Sequence, residues 1–301
     1  MLSFHHNPTL LTQSIPLKHN IQLDIKRLDL IHPYISGNKY FKLKYNILHA
    51  QQQGYQGILS FGGAYSNHIA ALAHACRMEN MPCVGIIRGE ELAQKPFNST
   101  LKDAQQHGMT LHFVSRQDYR QRHDATYLAQ LQQQFPHYYI IPEGGTNTLA
   151  VQGCAEILSD DDCQYYDTIC CAVGTGGTMA GLIERTQAPQ HVLGFSALRG
   201  DFLTQDIRQW TTKTHWRVID DYCDGVYAKL SPQTFEFMQY FEQHYSIPLD
   251  PIYTAKMMYG IFDLIEQGYF PDSHKILAIH SGGLQAKHSF LQQYQAVIHS
   301  T

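Results

Sequence analysis

Charge is scarce in this chain of 301 residues. Charged side chains make up 16%, well under the usual quarter or so. Lys and Arg total 22 against 26 Asp and Glu, which leaves −4 with histidine neutral. Nucleic-acid-binding proteins present a basic face, so this balance speaks against a nucleic-acid partner. Glutamine takes over part of the polar surface, as in Gln51–Gln53 and Gln132–Gln134. No apolar run approaches the roughly 20 residues of a membrane span, so no membrane partner is expected. The opening Met1-Leu-Ser-Phe-His-His-Asn-Pro lacks both the basic start and the apolar stretch of a signal peptide. The seven cysteines are odd in number and contain no Cys-x-x-Cys, which fits reduced thiols in a cytoplasm. The 18 histidines include no His-x-His and no His-Glu-x-x-His, so no metal site is expected.

What is present is a core. Hydrophobic residues reach 44%, enough to exclude wholesale disorder, and the length suits one large or two ordinary domains. Short apolar runs at Ile21–Leu28, Ile58–Phe61, Pro82–Ile87, Thr110–Val114, Tyr138–Ile141, Thr168–Val173, His191–Ser196 and Lys275–Ile279 predict strands. Helical patterns fall between them, at Asn38–Leu48, Ser66–Asn80, Leu101–His107, Gln117–Gln134, Leu149–Leu158 and Thr178–Arg185. Beyond Asp201 the pattern blurs until Pro232–Tyr245 and Ala255–Gln267, both helix-like. This alternation predicts an α/β protein with parallel sheets.

Ligands in such folds collect at the carboxyl ends of the strands. A buried strand runs into Gly174-Thr-Gly-Gly-Thr178 just before a helix. Glycines there let backbone N–H groups approach an anion, and the helix end adds partial positive charge. The turn therefore suits a phosphate, or else is a tight turn without a ligand. No lysine follows a glycine as in a Walker A loop, and Met179 occupies the last position of a would-be G-x-G-x-x-G. A nicotinamide dinucleotide is disfavoured; only Asp201 speaks for its ribose. A second turn, Gly62-Gly-Ala-Tyr-Ser66-Asn67-His68, offers either an ordinary helix cap or a carboxylate cradle. A third, His280-Ser281-Gly-Gly283, has the same two readings. Lys39 follows a Gly-Asn turn at the start of a helix, where its charge opposes the helix dipole. A phosphate cup, a placed lysine and a carboxylate cradle together suggest pyridoxal phosphate.

These motifs, with Gly37-Asn-Lys-x-x-Lys-Leu43, Pro142-Glu-Gly-Gly-Thr-Asn147 and Asp250-Pro-Ile-Tyr253, resemble one enzyme family over about Leu28 to Leu284. It comprises the pyridoxal-phosphate-dependent 1-aminocyclopropane-1-carboxylate (ACC) deaminases and D-cysteine desulfhydrases. The resemblance implies fold type II, the tryptophan-synthase-β-like fold, with twisted and mostly parallel sheets flanked by helices. It implies a larger cofactor-binding domain from 1–43 plus 148–301 and a smaller inserted domain from 44–147. Lys39 would be the Schiff-base lysine and the acid/base at Cα. Ser66 matches the catalytic serine, and Ser66, Asn67 and His68 would bind the substrate carboxylate, with Asn67 also beside the cofactor's phenolic oxygen. Gly174, Thr175, Gly176, Gly177 and Thr178 would hold the phosphate, with Lys42 adding charge. Tyr227 and Tyr253 match the two active-site tyrosines. Where ACC deaminases carry glutamate and leucine, this chain has Thr254 and Ser281, the desulfhydrase-like pattern. A carboxylate beside the ring nitrogen strengthens the electron sink, whereas a hydroxyl suffices for losing a thiol. The resemblance thus implies α,β-elimination of D-cysteine in a cytoplasmic homodimer. ACC deamination, or a non-catalytic protein that binds the cofactor and amino acids, is the alternative.

Overall fold

The computed structural model describes residues 3–200, 202–225, 229–287, 290–292 and 294. Asp201 and Tyr227 lie outside the described residues. The chain opens with β1 (Thr12–Ile15) and β2 (Gln22–Arg27), then α1 (Asn38–Gln52). It continues through β3 (Gly57–Gly62), α2 (Asn67–Met78), β4 (Cys83–Arg88), α3 (Ser99–Gln106), β5 (Met109–Val114), α4 (Arg116–Arg120), α5 (Ala125–Gln134) and β6 (Tyr138–Ile141). Next come α6 (Thr148–Ala155), α7 (Asp160–Tyr165), β7 (Thr168–Val173), α8 (Gly177–Arg185), β8 (His191–Ser196), α9 (Phe202–Arg208) and β9 (Trp216–Ile219). α10 (Pro232–Tyr245), α11 (Thr254–Glu266) and β10 (Lys275–His280) follow.

Two sheets form. One has six strands in the order β1-β2-β10-β7-β8-β9, and the other has four in the order β5-β4-β3-β6. Among the described residues only the β1–β2 pair is antiparallel. The expected α/β class with mostly parallel, helix-flanked sheets is therefore what forms. Parallel strands covered on both faces become continuous apolar runs, and β7 shows how they are shared. Ile169, Cys171 and Val173 face one apolar cluster, while Cys170 and Ala172 face another. The first cluster is continuous between the sheets, joining Leu277 of β10 to Phe41 of α1, Leu72 of α2 and Ile58 of β3. The second packs α10 and α11 on the outer face of the larger sheet through Phe241, Met257 and Ile261. A third covers the outer face of the smaller sheet with Phe61, Tyr119 and Leu131.

The helical pattern over Gln117–Gln134 resolves into two helices. Asp124 interrupts it, its side chain accepting from the Thr126 and Tyr127 amides at 2.9 and 3.0 Å to start α5. Four elements escape the periodicity: β1 and β9 are short strands at the sheet edges, and α7 and α9 are short helices. α7 does carry a local signal, a capping box between Ser159 and Asp162.

Glycines set how closely the central helices approach. α6 lies between α1 and α8. A side chain at Gly153 would stand 2.0 Å from the Phe41 carbonyl oxygen of α1. One at Gly181 would stand 2.5 Å from Cβ of Cys154 on α6. This seam carries the start of α1 and the start of α8 side by side. Gly153→Ala should therefore lower stability by roughly 1–3 kcal/mol through forced displacement of α1. The reading is a lower urea midpoint at unchanged slope; an unchanged midpoint would mean the seam has slack.

Candidate active site

The carboxyl ends of β3, β4, β6, β7 and β10 open onto one cavity of about 700 Å³. Lys39, Lys42, Ser66, Asn67, His68, Gly174, Thr175, Gly176, Thr178, Tyr253 and Ser281 border it. Gly177 follows Gly176 as the first residue of α8.

Lys39 enters from the first turn of α1. Gly37 precedes that helix at φ 70°, and a Cβ there would lie 1.8 Å from the Ser281 carbonyl oxygen. Only glycine lets the α1 start meet the loop after β10 so closely. The Lys39 amine donates to Asn38 Oδ1 at 2.9 Å. Loss of water around it lowers its pKa to about 8, partly opposed by Cys154 and Asp250. A minor share of the amine, far more than for an ordinary lysine, is thus unprotonated and nucleophilic near neutral pH.

Lys42 sits one turn further on and is almost wholly buried. It donates to the Gly144 carbonyl at 2.9 Å, Thr146 Oγ1 at 2.9 Å and Thr175 Oγ1 at 3.0 Å. Desolvation, then repulsion from Lys39, brings its pKa down to about 7. Thr175 belongs to the glycine-rich turn after β7, so Lys42 touches the cup through that hydroxyl. Gly176 takes the left-handed conformation at φ 76° and caps α8. The first N–H groups of α8 have no partner within the helix, and they face the same side. Asn38 Nδ2 donates to Thr178 Oγ1 at 2.7 Å, leaving the Thr178 hydroxyl proton to donate onward.

α2 starts opposite. Ser66 caps it, accepting from the Ile69 amide at 3.3 Å, which leaves its own hydroxyl proton available. Asn67 Oδ1 accepts from Gln285 at 2.7 Å, and its amide nitrogen faces Gly283. His68 differs from the sequence expectation. Its Nε2 lies 2.8 Å from Ser60 Oγ, whose hydroxyl donates to the Ile141 carbonyl at 2.9 Å. That network assigns the proton to Nε2 and the lone pair to Nδ1. Burial, then Lys39 and Lys42, push the ring's pKa down to about 3. A neutral ring with an unpartnered, buried Nδ1 has no proton to give a carboxylate; His68 can serve one only through its backbone N–H.

Thr254 also departs from expectation. It is fully buried, and its Oγ1 accepts from the Asp250 amide at 2.7 Å. The hydroxyl is therefore tied to the backbone, and the residue does not border the cavity, whereas Ser281 does. In its place stands a side chain whose role the sequence did not reveal. Asp250 is buried at the cavity wall, with Oδ1 held by the Ile252 and Tyr253 amides at 3.1 and 2.6 Å. Burial raises its pKa to about 7, against those amides and Lys39. The Asp250-Pro-Ile-Tyr253 stretch was the available signal. Tyr253 packs across the cup, its ring 3.2 Å from where a Gly174 Cβ would be. Arg88 and Glu143 at the rim were also missed.

These residues fit a phosphorylated aldehyde. A desolvated amine and an anion-binding helix start with hydroxyl donors surround one space. With pyridoxal phosphate as the probe, the visible absorption band of lysine-bound cofactor should form faster as pH rises through about 8, because only the neutral amine attacks an aldehyde. Lys39→Ala should give no band, and a pH-independent rate would acquit Lys39 as the titrating group. Sulfate, an anion of constant charge, should bind more tightly below pH 7 than above. An anion nearby stabilises the Lys42 ammonium, and that charge is lost as pH rises through about 7. Lys42→Met should flatten this dependence, measured by calorimetry.

The family described as pyridoxal-phosphate dependent enzyme matches residues 2–282. A putative 1-aminocyclopropane-1-carboxylate deaminase of Thermotoga maritima is 28% identical, over 94% of this chain and 95% of its own. The bifunctional D-cysteine desulfhydrase/1-aminocyclopropane-1-carboxylate deaminase of Arabidopsis thaliana, a mitochondrial protein, is 26% identical over 98% and 81%. A crystal structure of an ACC deaminase homologue superposes with a TM-score of 0.80 at 24% identity, covering 94% of this chain and 93% of that one. A hydrogen sulfide-producing enzyme from Fusobacterium nucleatum shares the fold at a TM-score of 0.63 and 14% identity, over 93% and 96%. The chain belongs to the pyridoxal-phosphate-dependent enzymes.

Proposed function

We propose that this protein is a lyase that removes a β-substituent from a small amino acid, with D-cysteine going to pyruvate, sulfide and ammonia. The observation that carries the reading is the Lys39 amine, depressed to about 8, on the same cavity as the 174–178 cup and the α2 start. Bound there, pyridoxal phosphate supplies an electron sink for negative charge at Cα. The protein's own groups do the rest. Lys39, when neutral, has a lone pair to take the Cα proton. Ser66 and the N–H groups of Asn67 and His68 hold the substrate carboxylate at the helix start. Gly174–Thr178, with Lys42 behind Thr175, anchor the phosphate. Tyr253 closes the cup side, and Tyr227 keeps its assignment from the family resemblance. Ser281 would serve the ring nitrogen with its hydroxyl, and Thr254 acts by fixing the backbone that carries Asp250.

The split into 1–43 plus 148–301 and 44–147, and the cytoplasmic homodimer, belong to the same reading. The split is supported by the four-stranded sheet lying within 57–141. The compartment is supported by seven free cysteines. Among the described residues no helix is long and apolar enough to cross a membrane.

A second reading, ACC deamination, is favoured by one observation. Asp250 places a carboxylate in the cavity, and a carboxylate is what a demanding ring opening draws on. The holoenzyme should release pyruvate and sulfide from D-cysteine and little or no 2-oxobutanoate from ACC. Lys39→Ala should abolish turnover, a loss of several orders of magnitude. ACC turnover without D-cysteine turnover would replace the first reading with the second, and a spectral response without keto-acid release would leave a binding protein.

A further inference from the structure

Arg88 closes β4 at the rim of the cavity and faces solvent. Other charges around the rim are already matched. Arg116 pairs with Glu91 at 2.9 Å. Glu143 accepts from Tyr119 and from Arg122, each at 2.5 Å. Among the described residues Arg88 has no acidic partner. Its guanidinium is nevertheless placed. It lies over the buried Tyr119 ring, 5.8 Å from the centroid. Tyr119 is itself held from below by Phe61. On the other side, Nη2 would stand 3.6 Å from a Cβ at Gly63. Gly63 opens the loop that ends in Ser66 and Asn67, the proposed carboxylate cradle.

We infer that Arg88 recognises a second anionic group at the far end of the amino-acid substrate, so that the enzyme favours substrates whose β-substituent carries negative charge. This rests on the lyase reading and narrows its substrate class. A braced guanidinium matches carboxylate, sulfonate or phosphate geometry with paired N–H donors. Among these groups a phosphate ester also leaves readily, taking the Cβ–O electron pair with it. For O-phosphoserine the Cα proton passes to a base and the Cβ–O electron pair departs with phosphate. Water then converts the resulting enamine to pyruvate and ammonia.

The test titrates holoenzyme with serine and O-phosphoserine, both enantiomers of each, following the cofactor's absorption. The wild type should bind one enantiomer of O-phosphoserine more tightly than the matching serine. Arg88→Ala should weaken O-phosphoserine roughly ten- to hundredfold and change serine by no more than about twofold, with Arg88→Lys between. Equal losses for both ligands would show that Arg88 serves the shared α-carboxylate or the fold, and would overturn the inference. So would a wild type that does not distinguish the two ligands. Pyruvate release from β-chloroalanine, measured alongside, tests the lyase reading separately. Its absence beside a preserved Arg88-dependent preference would remove the reaction and keep the recognition.

Discussion

Two lysines one helical turn apart cannot both hold full charge in a packed seam. Lys39 and Lys42 lie on the first turns of α1, and each loses solvation where α1, α6 and α8 converge. Loss of solvation lowers both, and Lys39 further lowers Lys42. The consequence is a division of labour by environment. Lys42 finds three oxygen acceptors and stays anchored beside the cup. Lys39 has one, a neighbouring amide oxygen, and keeps an accessible lone pair. The seam that produces this is bought with glycine at Gly153 and Gly181, and Gly37 does the same against the loop after β10; at each, backbone or Cβ contacts leave no room for a side chain.

The remaining groups of the cavity follow from the same scarcity of water. His68 is neutral, because its ring is buried near two amines and its one proton is spent on Ser60. Asp250 is pushed toward neutrality by burial, while the amides of Ile252 and Tyr253 and the charge on Lys39 pull it back. The inner groups are therefore poised close to neutrality, with anion-binding N–H groups at the two helix starts and the charged side chains Arg88, Glu91, Arg116 and Glu143 at the rim. Such an interior costs little to fill with a dianionic cofactor, since helix N–H groups and hydroxyls replace its water.

Much of this was legible in the sequence, for a physical reason. β3, β7 and β10 are buried on both faces, so they stand out as apolar runs, and their ends are marked by glycine turns that the backbone cannot do without. Ser66, Asn67, Thr175 and Ser281 all sit just after such an end, whereas Lys39 is marked by the Gly37 turn that opens α1. What escaped notice depends on tertiary contact. β9 is an edge strand whose burial is partial, and α9 is a short helix between loops. The orientation of His68 is set by Ser60 and Ile141, distant in sequence. Asp250 reads as an Asp-Pro turn, and only the folding of α11 against β7 and β8 turns its carboxylate inward. Thr254 was expected at the cavity because it follows Tyr253, but the helix that begins there rotates it onto the backbone.

That rotation changes how the choice between elimination and ring opening should be argued. α11 begins directly after Tyr253. Here its first residue is committed to the Asp250 amide. Of these residues Asp250 and Ser281 border the cavity and Thr254 does not, so on the proposed reading the first two would set the acidity near the cofactor ring. With its pKa raised to about 7, Asp250 is close to evenly divided between its two forms at neutral pH. A cation placed against it would draw it to the charged form, and loss of the Lys39 charge would release it to the neutral one. Elimination of a good leaving group needs only modest charge delocalisation and tolerates either state. Opening a strained ring without a leaving group needs the stronger sink, and so the charged carboxylate. The electrostatics of this cavity thus suit elimination across the neutral range, and would confine ring opening to conditions in which Asp250 stays ionised.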